Sequence, residues 1–300
     1  MTLDPTLSTA KVLADYPIRK GFWRKLLAIP TAIFGLLILG VVTLLALTAP
    51  LYIGPAQLDV TQVSGPLLSP PGSGFPLGTD QAGRSILFLL IWGARTSLTI
   101  GVMATVLTML LGSSIGLVAG HYQGLIGQGL MHVTNWFIAL PSLPLAIALS
   151  AVLGQGVVSI TIAIAVTSWT GTARLIRAQT LSVGARPFIE RERALGASDL
   201  QIILRQILPN VMPLILVSST LTVASAILSE STLTFLGLGD PTGVSWGTML
   251  NQAVVQGSVT AGAWWYFLPP GFAILIVVLG FTLTGRAIGA VLNPRMATDL

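Results

Sequence analysis

Apolar residues gather in six stretches, Ile29–Leu51, Thr96–Ala119, Met131–Leu153, Val157–Ile176, Val211–Ser229 and Phe267–Val291. A helix needs about 20 apolar residues to cross a bilayer, so the pattern predicts six membrane-spanning helices. The fourth stretch is the least continuous, because Thr161, Thr167, Ser168 and Thr170 interrupt it. Only Gly154-Gln155-Gly156 separates it from the third, a hairpin too short to hold a domain. The second stretch carries Gly112, Gly116 and Gly120 at four-residue spacing, a close-approach stripe that suits packing within the chain or between subunits.

Two polar segments fall between spans on one side. Residues 52–95 are rich in Pro and Gly (Pro66, Pro70, Pro71, Gly72, Gly74, Pro76) and predict an irregular loop. Ser85–Trp92 then forms a short apolar piece, expected as an interfacial helix leading into the second span. Residues 230–266 contain Phe235–Gly239 and Ser245–Leu250, apolar but too short to span. They are expected to dip into the membrane or cap the outer mouth of a pore.

Composition agrees with the pattern. Hydrophobic residues make up 53% of the 300, charged residues 8%, and mean hydropathy is +0.85. A soluble domain carries roughly 25% charged residues, so this is an integral membrane protein. Of the 15 Lys and Arg, only Arg84 and Arg95 fall in the two outer segments. The rest flank the opposite side, including Lys11, Arg19, Lys20, Arg24 and Lys25, the run Arg174–Arg205, Arg286 and Arg295. By the positive-inside rule both termini are cytoplasmic. The net charge of +5 is thus sorted by membrane side and does not suggest nucleic acid. The polar, basic residues 1–27 precede an apolar run longer than a signal-peptide core, with no cleavage pattern, which reads as a retained anchor.

Much chemistry is excluded. Cys is absent, and with two histidines, His121 and His132, a dedicated metal cage is not expected. No lysine follows Lys25, so the chain holds no phosphate-binding Gly-x-x-x-x-Gly-Lys loop. No titratable residue lies near the centre of any span, which argues against a proton-coupled carrier. Glu230, at the outer end of the fifth span, could cap the helix, pair with Arg95 or touch a substrate amine. Asn135 reads as an interhelical hydrogen-bonding residue.

The segment Gly184–Asn210 is the specific signal. Pro187 suits a first helical position, Phe188–Leu195 can form two turns, and Gly196 supplies a stop. Arg186 and Glu190, and Glu190 and Arg193, are spaced for helix-supporting ion pairs. Ser198 or Asp199 caps a second helix, Leu200–Leu208, which Pro209 ends or kinks. The expected result is a short helix on the inner membrane face, presenting Phe188, Ile189 and Leu195 inside a charged rim for a docking partner.

Glu190-Arg191-Glu192-Arg193-Ala194-Leu195-Gly196-Ala197-Ser198-Asp199, followed by Ile207-Leu208-Pro209-Asn210, resembles the cytoplasmic EAA loop of ABC importer permeases of the peptide and nickel branch. Arg191 and Glu192 stand where that pattern usually has alanines. Phe22–Lys25, Leu77–Arg84, Gly93–Leu98, Ala139–Pro144, Glu230–Gly239, Ser245–Gly247 and Leu292–Arg295 resemble further segments of the second, C-type permease subunit of that branch, in order along the chain. The resemblance implies an all-α, six-span protein with the type I ABC importer permease fold. Its parts would be an inner N-terminal segment (1–28), a first helix (29–51), an outer loop (52–95), a five-helix core (96–291) with a coupling loop (177–208), and an inner tail (292–300).

It further implies one half of a heterodimeric pore in a bacterial or archaeal cytoplasmic membrane. The expected partners are a homologous permease subunit, two ATP-binding subunits that carry ATP and Mg, and an extracytoplasmic substrate-binding protein. No cofactor and no catalytic residue are expected on this chain. Phe188, Ile189, Glu190, Ala194, Leu195, Gly196 and Asp199 are the expected coupling residues. Ser218, Ser219, Thr222 and Ser225, leading along the fifth span to Glu230, are the expected pore path. Di- or oligopeptides are the expected substrates, with nickel, a metal chelate or another small solute as the alternative. A stand-alone secondary transporter is the rival of a different class.

Overall fold

The computed structural model describes residues 21–72 and 74–292. The expectations placed on residues 1–20, including Lys11, Arg19 and Lys20, and on the tail from Asn293, including Arg295, lie outside the described residues. All regular structure among the described residues is helical. The helices are α1 (Phe22–Leu26), α2 (Pro30–Tyr52), α3 (Ile86–His121), α4 (Leu125–Ala139) and α5 (Ser142–Leu153). They continue as α6 (Val157–Gly184), α7 (Pro187–Ala194), α8 (Asp199–Phe235), α9 (Trp246–Val255) and α10 (Trp264–Leu292).

Four of these, α2, α3, α8 and α10, are long and apolar enough to cross a membrane, and α4 with α5 would make a fifth. The stretch Met131–Leu153 is therefore not the unbroken span expected of it. It bends by 90° between α4 and α5. The cause is local: Leu140 precedes a proline and adopts ψ 132°, and Pro141 follows at ψ 120°, both extended. Val157–Ile176 is helical but runs on to Gly184, and its hydroxyls and arginines leave it short of the apolarity of a span.

That helix is protected by burial instead. α3 and α6 form the most extensive helix pair, and the glycine stripe is their seam. A Cβ at Gly112 would lie 2.6 Å from Thr172 Cβ, one at Gly116 would lie 2.7 Å from the Ala173 carbonyl, and one at Gly120 would lie 2.6 Å from Thr180 Cβ. The stripe thus serves packing within the chain. α8 runs beside α3, α6 and α10, and α2 leans on α10. The outer face of α2 exposes Phe34, Leu37, Leu44 and Leu47, as a helix in contact with lipid does.

On the outer side Ser85–Trp92 is not a separate interfacial helix, since α3 starts at Ile86 and continues through it. Residues 53–72 and 74–85 pack as a platform over the outer helix ends. Leu68 N donates to the Asp80 carbonyl at 2.8 Å, Thr79 N to the Ser69 carbonyl at 2.9 Å, and Trp265 Nε1 to the Thr79 carbonyl at 3.3 Å. α9 lies across these ends, with Trp246 buried and its Nε1 donating to the Leu90 carbonyl at 2.9 Å.

Candidate functional site

The loop between α6 and α8 is built from its own sequence. Arg186 is extended (ψ 143°), as a residue before proline should be, and Pro187 opens α7 at N1. Glu190 lies in the first turn and Arg191 and Arg193 in the last, each matched to the helix dipole. The expected ion pairs Arg186–Glu190 and Glu190–Arg193 do not form; these exposed side chains gain too little from pairing to be held together. A Schellman motif closes the helix: Ala197 N donates to the Glu192 carbonyl at 3.1 Å and Gly196 N to the Arg193 carbonyl at 3.0 Å. Gly196 has φ +86°, a conformation that costs any side-chain-bearing residue.

α7 has an inside and an outside. Ile189 is 0% exposed and packs with Leu117 of α3, Ile176 and Val183 of α6, and Ile202, Ile203 and Ile207 of α8. The expectation that Ile189 faces a partner is corrected: its side chain anchors α7 to the helices beneath. Phe188 is half-buried against the same cluster, while Glu190, Ala194 and Gly196 are exposed and Leu195 is 77% exposed.

The second helix begins with a capping box. Ser198 Oγ accepts from Gln201 N at 3.4 Å, and Gln201 Oε1 accepts from Ser198 N at 3.1 Å. Ser198, not Asp199, is the cap. Asp199 instead meets His121, at the end of α3, across 2.8 Å between Oδ1 and Nε2. His121, Tyr122, Leu125, Ile126, Arg193 and Asp199 line an open cavity of about 540 Å³ beside α7. No spacing could have disclosed His121, which lies 78 residues from its partner.

Just beyond, α8 widens to i→i+5 hydrogen bonding over Ile202–Ile207, where Leu208 N donates to the Ile203 carbonyl. Pro209 has no N–H for the preceding turn, which favours such a bulge. Asn210 Nδ2 donates to the Gln206 carbonyl at 2.7 Å.

Ser218, Thr222 and Ser225, spaced i, i+4 and i+7, share one face of α8, with Ser219 at its flank and Glu230 turned away from it. Ser225 is exposed beside Leu221 and Leu228, while Ser218, Ser219 and Thr222 are half-buried. Ser219, Thr222 and Ser225 donate to carbonyls of their own helix. Glu230 is 0% exposed, on the buried side with Val223 and Ile227. Ser231 Oγ donates to it at 3.2 Å and Thr234 Oγ1 lies 3.3 Å away. It does not cap α8, which runs on to Phe235, and it does not pair with Arg95, whose guanidinium lies 4.6 Å from the Trp92 ring centroid. With Thr96, Asp240, Ser245 and Thr248 it lines a cavity of about 120 Å³ at the outer end of the bundle. Asn135 Oδ1, expected in an interhelical bond, accepts from Arg174 of α6 at 2.8 Å.

Comparison with known proteins gives consistent matches. The profile of the family described as "Binding-protein-dependent transport system inner membrane component" matches residues 112–298, and that of the "N-terminal TM domain of oligopeptide transport permease C" matches residues 19–71. The chain is 37% identical over 284 residues to the di/tripeptide transport system permease protein DppC of Pseudomonas aeruginosa, covering 92% of each chain. It is 36% identical over 270 residues to the oligopeptide transport system permease protein OppC of Bacillus subtilis, covering 88% of this chain and 86% of that one. It is 32% identical over 302 residues to the glutathione transport system permease protein GsiD of Pectobacterium atrosepticum, covering 97% and 96%.

Proposed function

The chain belongs to the family of binding-protein-dependent transport system inner membrane components, and from that premise we propose that it forms half of the translocation pore of an ATP-driven importer of di- or oligopeptides. It is a multi-pass membrane protein of ABC transporter permease type, a class of subunit without catalysis of its own. In the proposed assembly it pairs with a homologous permease subunit. Two ATP-binding subunits, holding ATP and Mg, sit on the cytoplasmic side, and a substrate-binding protein delivers cargo from outside. The chain would cross a bacterial or archaeal cytoplasmic membrane six times, with α6 and the broken α4–α5 pair among the crossings and both termini inside. The peptide substrate is supported by what the similar permeases are named for.

The observation that carries the coupling role is the two-sidedness of α7. Leu195, Glu190 and Ala194 face water, where a partner's groove could take them, while Ile189 is sunk in a cluster shared by α3, α6 and α8. A short rigid helix held in this way transmits displacement. Nucleotide-driven closure of the ATP-binding subunits would push or pull α7, and close-packed contacts around Ile189 would pass that motion to three long helices. Gly196 and the Ser198 cap fix the angle at which α7 meets α8. Exposed polar positions such as Ser225, with half-buried Ser218, Ser219 and Thr222, are the proposed pore-facing groups. Glu230 is proposed to shape the outer end from within the wall.

The test is ATPase activity of the complex co-purified with this subunit and reconstituted with its binding protein, challenged with short peptides or a nickel chelate. Stimulation by peptides supports the assignment, and stimulation by the chelate alone moves the cargo to metal. If no ATPase co-purifies, the coupling role of α7 fails.

A further inference from the structure

The cavity of about 540 Å³ beside α7 is shared: Tyr122, Leu125 and Ile126 belong to the passage from α3 into α4, Arg193 to α7 and Asp199 to α8. That turn rests on the base that holds α7. Tyr122 packs against the cluster in which Ile189 is buried. Its backbone N donates to the Val118 carbonyl at 2.9 Å, and Arg177 Nε of α6 donates to the Ala119 carbonyl at 3.4 Å. Gly127 closes the turn, since a Cβ there would run into the Tyr122 carbonyl and lie 2.7 Å from that of Ala119. The turn and α7 therefore stand as two prongs on one close-packed base.

The first prong ends in an uncovered leucine. Leu125 is 89% exposed. Gln128 and His132, three and seven residues on, share its face of α4 and are exposed as well. The same cavity carries the Arg193 guanidinium and the exposed Asp199 carboxylate, groups that lipid tails do not solvate, so Leu125 stands in water. Leu195, two residues beyond Arg193, repeats the arrangement on the second prong. Arg193 makes no ion pair among the described residues. Apolar tips beside a guanidinium without a counter-charge suit a folded partner with an apolar recess edged by a carboxylate. We propose that the α3–α4 turn is a second docking point for the ATP-binding subunit that meets α7, with Leu125 in an apolar recess of that subunit and Arg193 facing an acidic side chain. The occupant follows from continuity: the turn shares a cavity and a base with α7, and the assignment rests on the coupling role proposed for α7. Gripped at both prongs, α3 and α8 would be driven together.

A photocrosslinking residue placed at position 125 or, separately, at 195, in the complex that carries the ATP-binding subunits, tests this. Both positions should give adducts with the ATP-binding subunit. An adduct from 195 without one from 125 overturns the second docking point and leaves the role of α7 intact, whereas none from either position removes both. Adducts from 125 with lipid or with the partner permease also overturn it. Leu125→Ser removes no buried contact, so the variant should fold and insert, while the ATP-binding subunits should be retained about fivefold more weakly. Unchanged retention in that variant sinks the proposal even where an adduct forms.

Discussion

His121 and Asp199 meet at 2.8 Å, joining the end of α3 to the first turn of α8 beside the loop proposed to receive force. The His121 side chain is 3% exposed and that of Asp199 is 52% exposed, so a fixed ring holds a carboxylate at the surface. Replacing His121 with Ala should loosen Asp199–Ile207 without unfolding the bundle. Hydrogen exchange should rise there, and ATP-driven uptake should fall in part, because a pair this open to water contributes modestly. Unchanged exchange in that segment would remove the pair from the coupling machinery.

The two sides of α7 should separate by measurement. Ile189→Ala leaves a cavity in a shared apolar cluster and should cost about 2–5 kcal/mol, read as a lower melting temperature of the purified complex. Leu195→Ala, at an exposed position, should leave melting almost unchanged yet weaken retention of the ATP-binding subunits. The opposite result for the pair would reverse the assignment of faces.

The α3–α6 seam should tolerate no added carbon. Gly112→Ala places a methyl 2.6 Å from Thr172 Cβ and should destabilise by about 1–3 kcal/mol. Gly171→Ala on α6 has nothing within 4 Å of the new methyl, and should be neutral or stabilising by up to ~1 kcal/mol. Thermal melting in one detergent compares the two.

Arg84 and Asp80 form a buried ion pair at 2.7 Å in the outer platform, extended by Arg84 Nη1 to the Leu58 carbonyl at 3.3 Å and Nη2 to Gln252 Oε1 at 3.2 Å. Removing one partner leaves an uncompensated buried charge, so Asp80→Asn should cost about 3–5 kcal/mol. Arg84→Met added to it should recover part of the loss. Protease sensitivity of residues 53–85 gives the readout, and additive damage would show that the pair does not act as a unit.

Acid should loosen the turn after α8. Hydrogen bonds from the Thr242 hydroxyl and backbone N–H hold the Asp240 carboxyl below its usual range. The folded state therefore favours the ionised form. The resulting stabilisation is present above the unfolded carboxyl's ordinary value and is lost as pH falls through the lower, folded one. Hydrogen exchange at residues 240–243, corrected for intrinsic rate, should rise below about pH 4 in the native protein. Asp240→Asn should lose most of that acid response.

The sequence by itself determined that this chain lives in a membrane, because a composition so poor in charge cannot cover a water-facing surface. It also determined the anatomy of α7. Pro187, Gly196 and Ser198 act on the backbone within a few residues, so their effects are written locally. Even the 90° break between α4 and α5 follows from Leu140-Pro141, a signal that a count of apolar residues passes over. Tertiary structure alone decided which way side chains face. Ile189 and Leu195 are both apolar residues of one short segment, yet only packing against α3, α6 and α8 buries the first and leaves the second in water. Glu230 likewise reads as a helix-end carboxylate until neighbouring elements close over it, and His121 finds Asp199 only because α3 ends where α8 begins. Such outcomes depend on contacts between residues far apart in the chain, for which one-dimensional spacing carries no record.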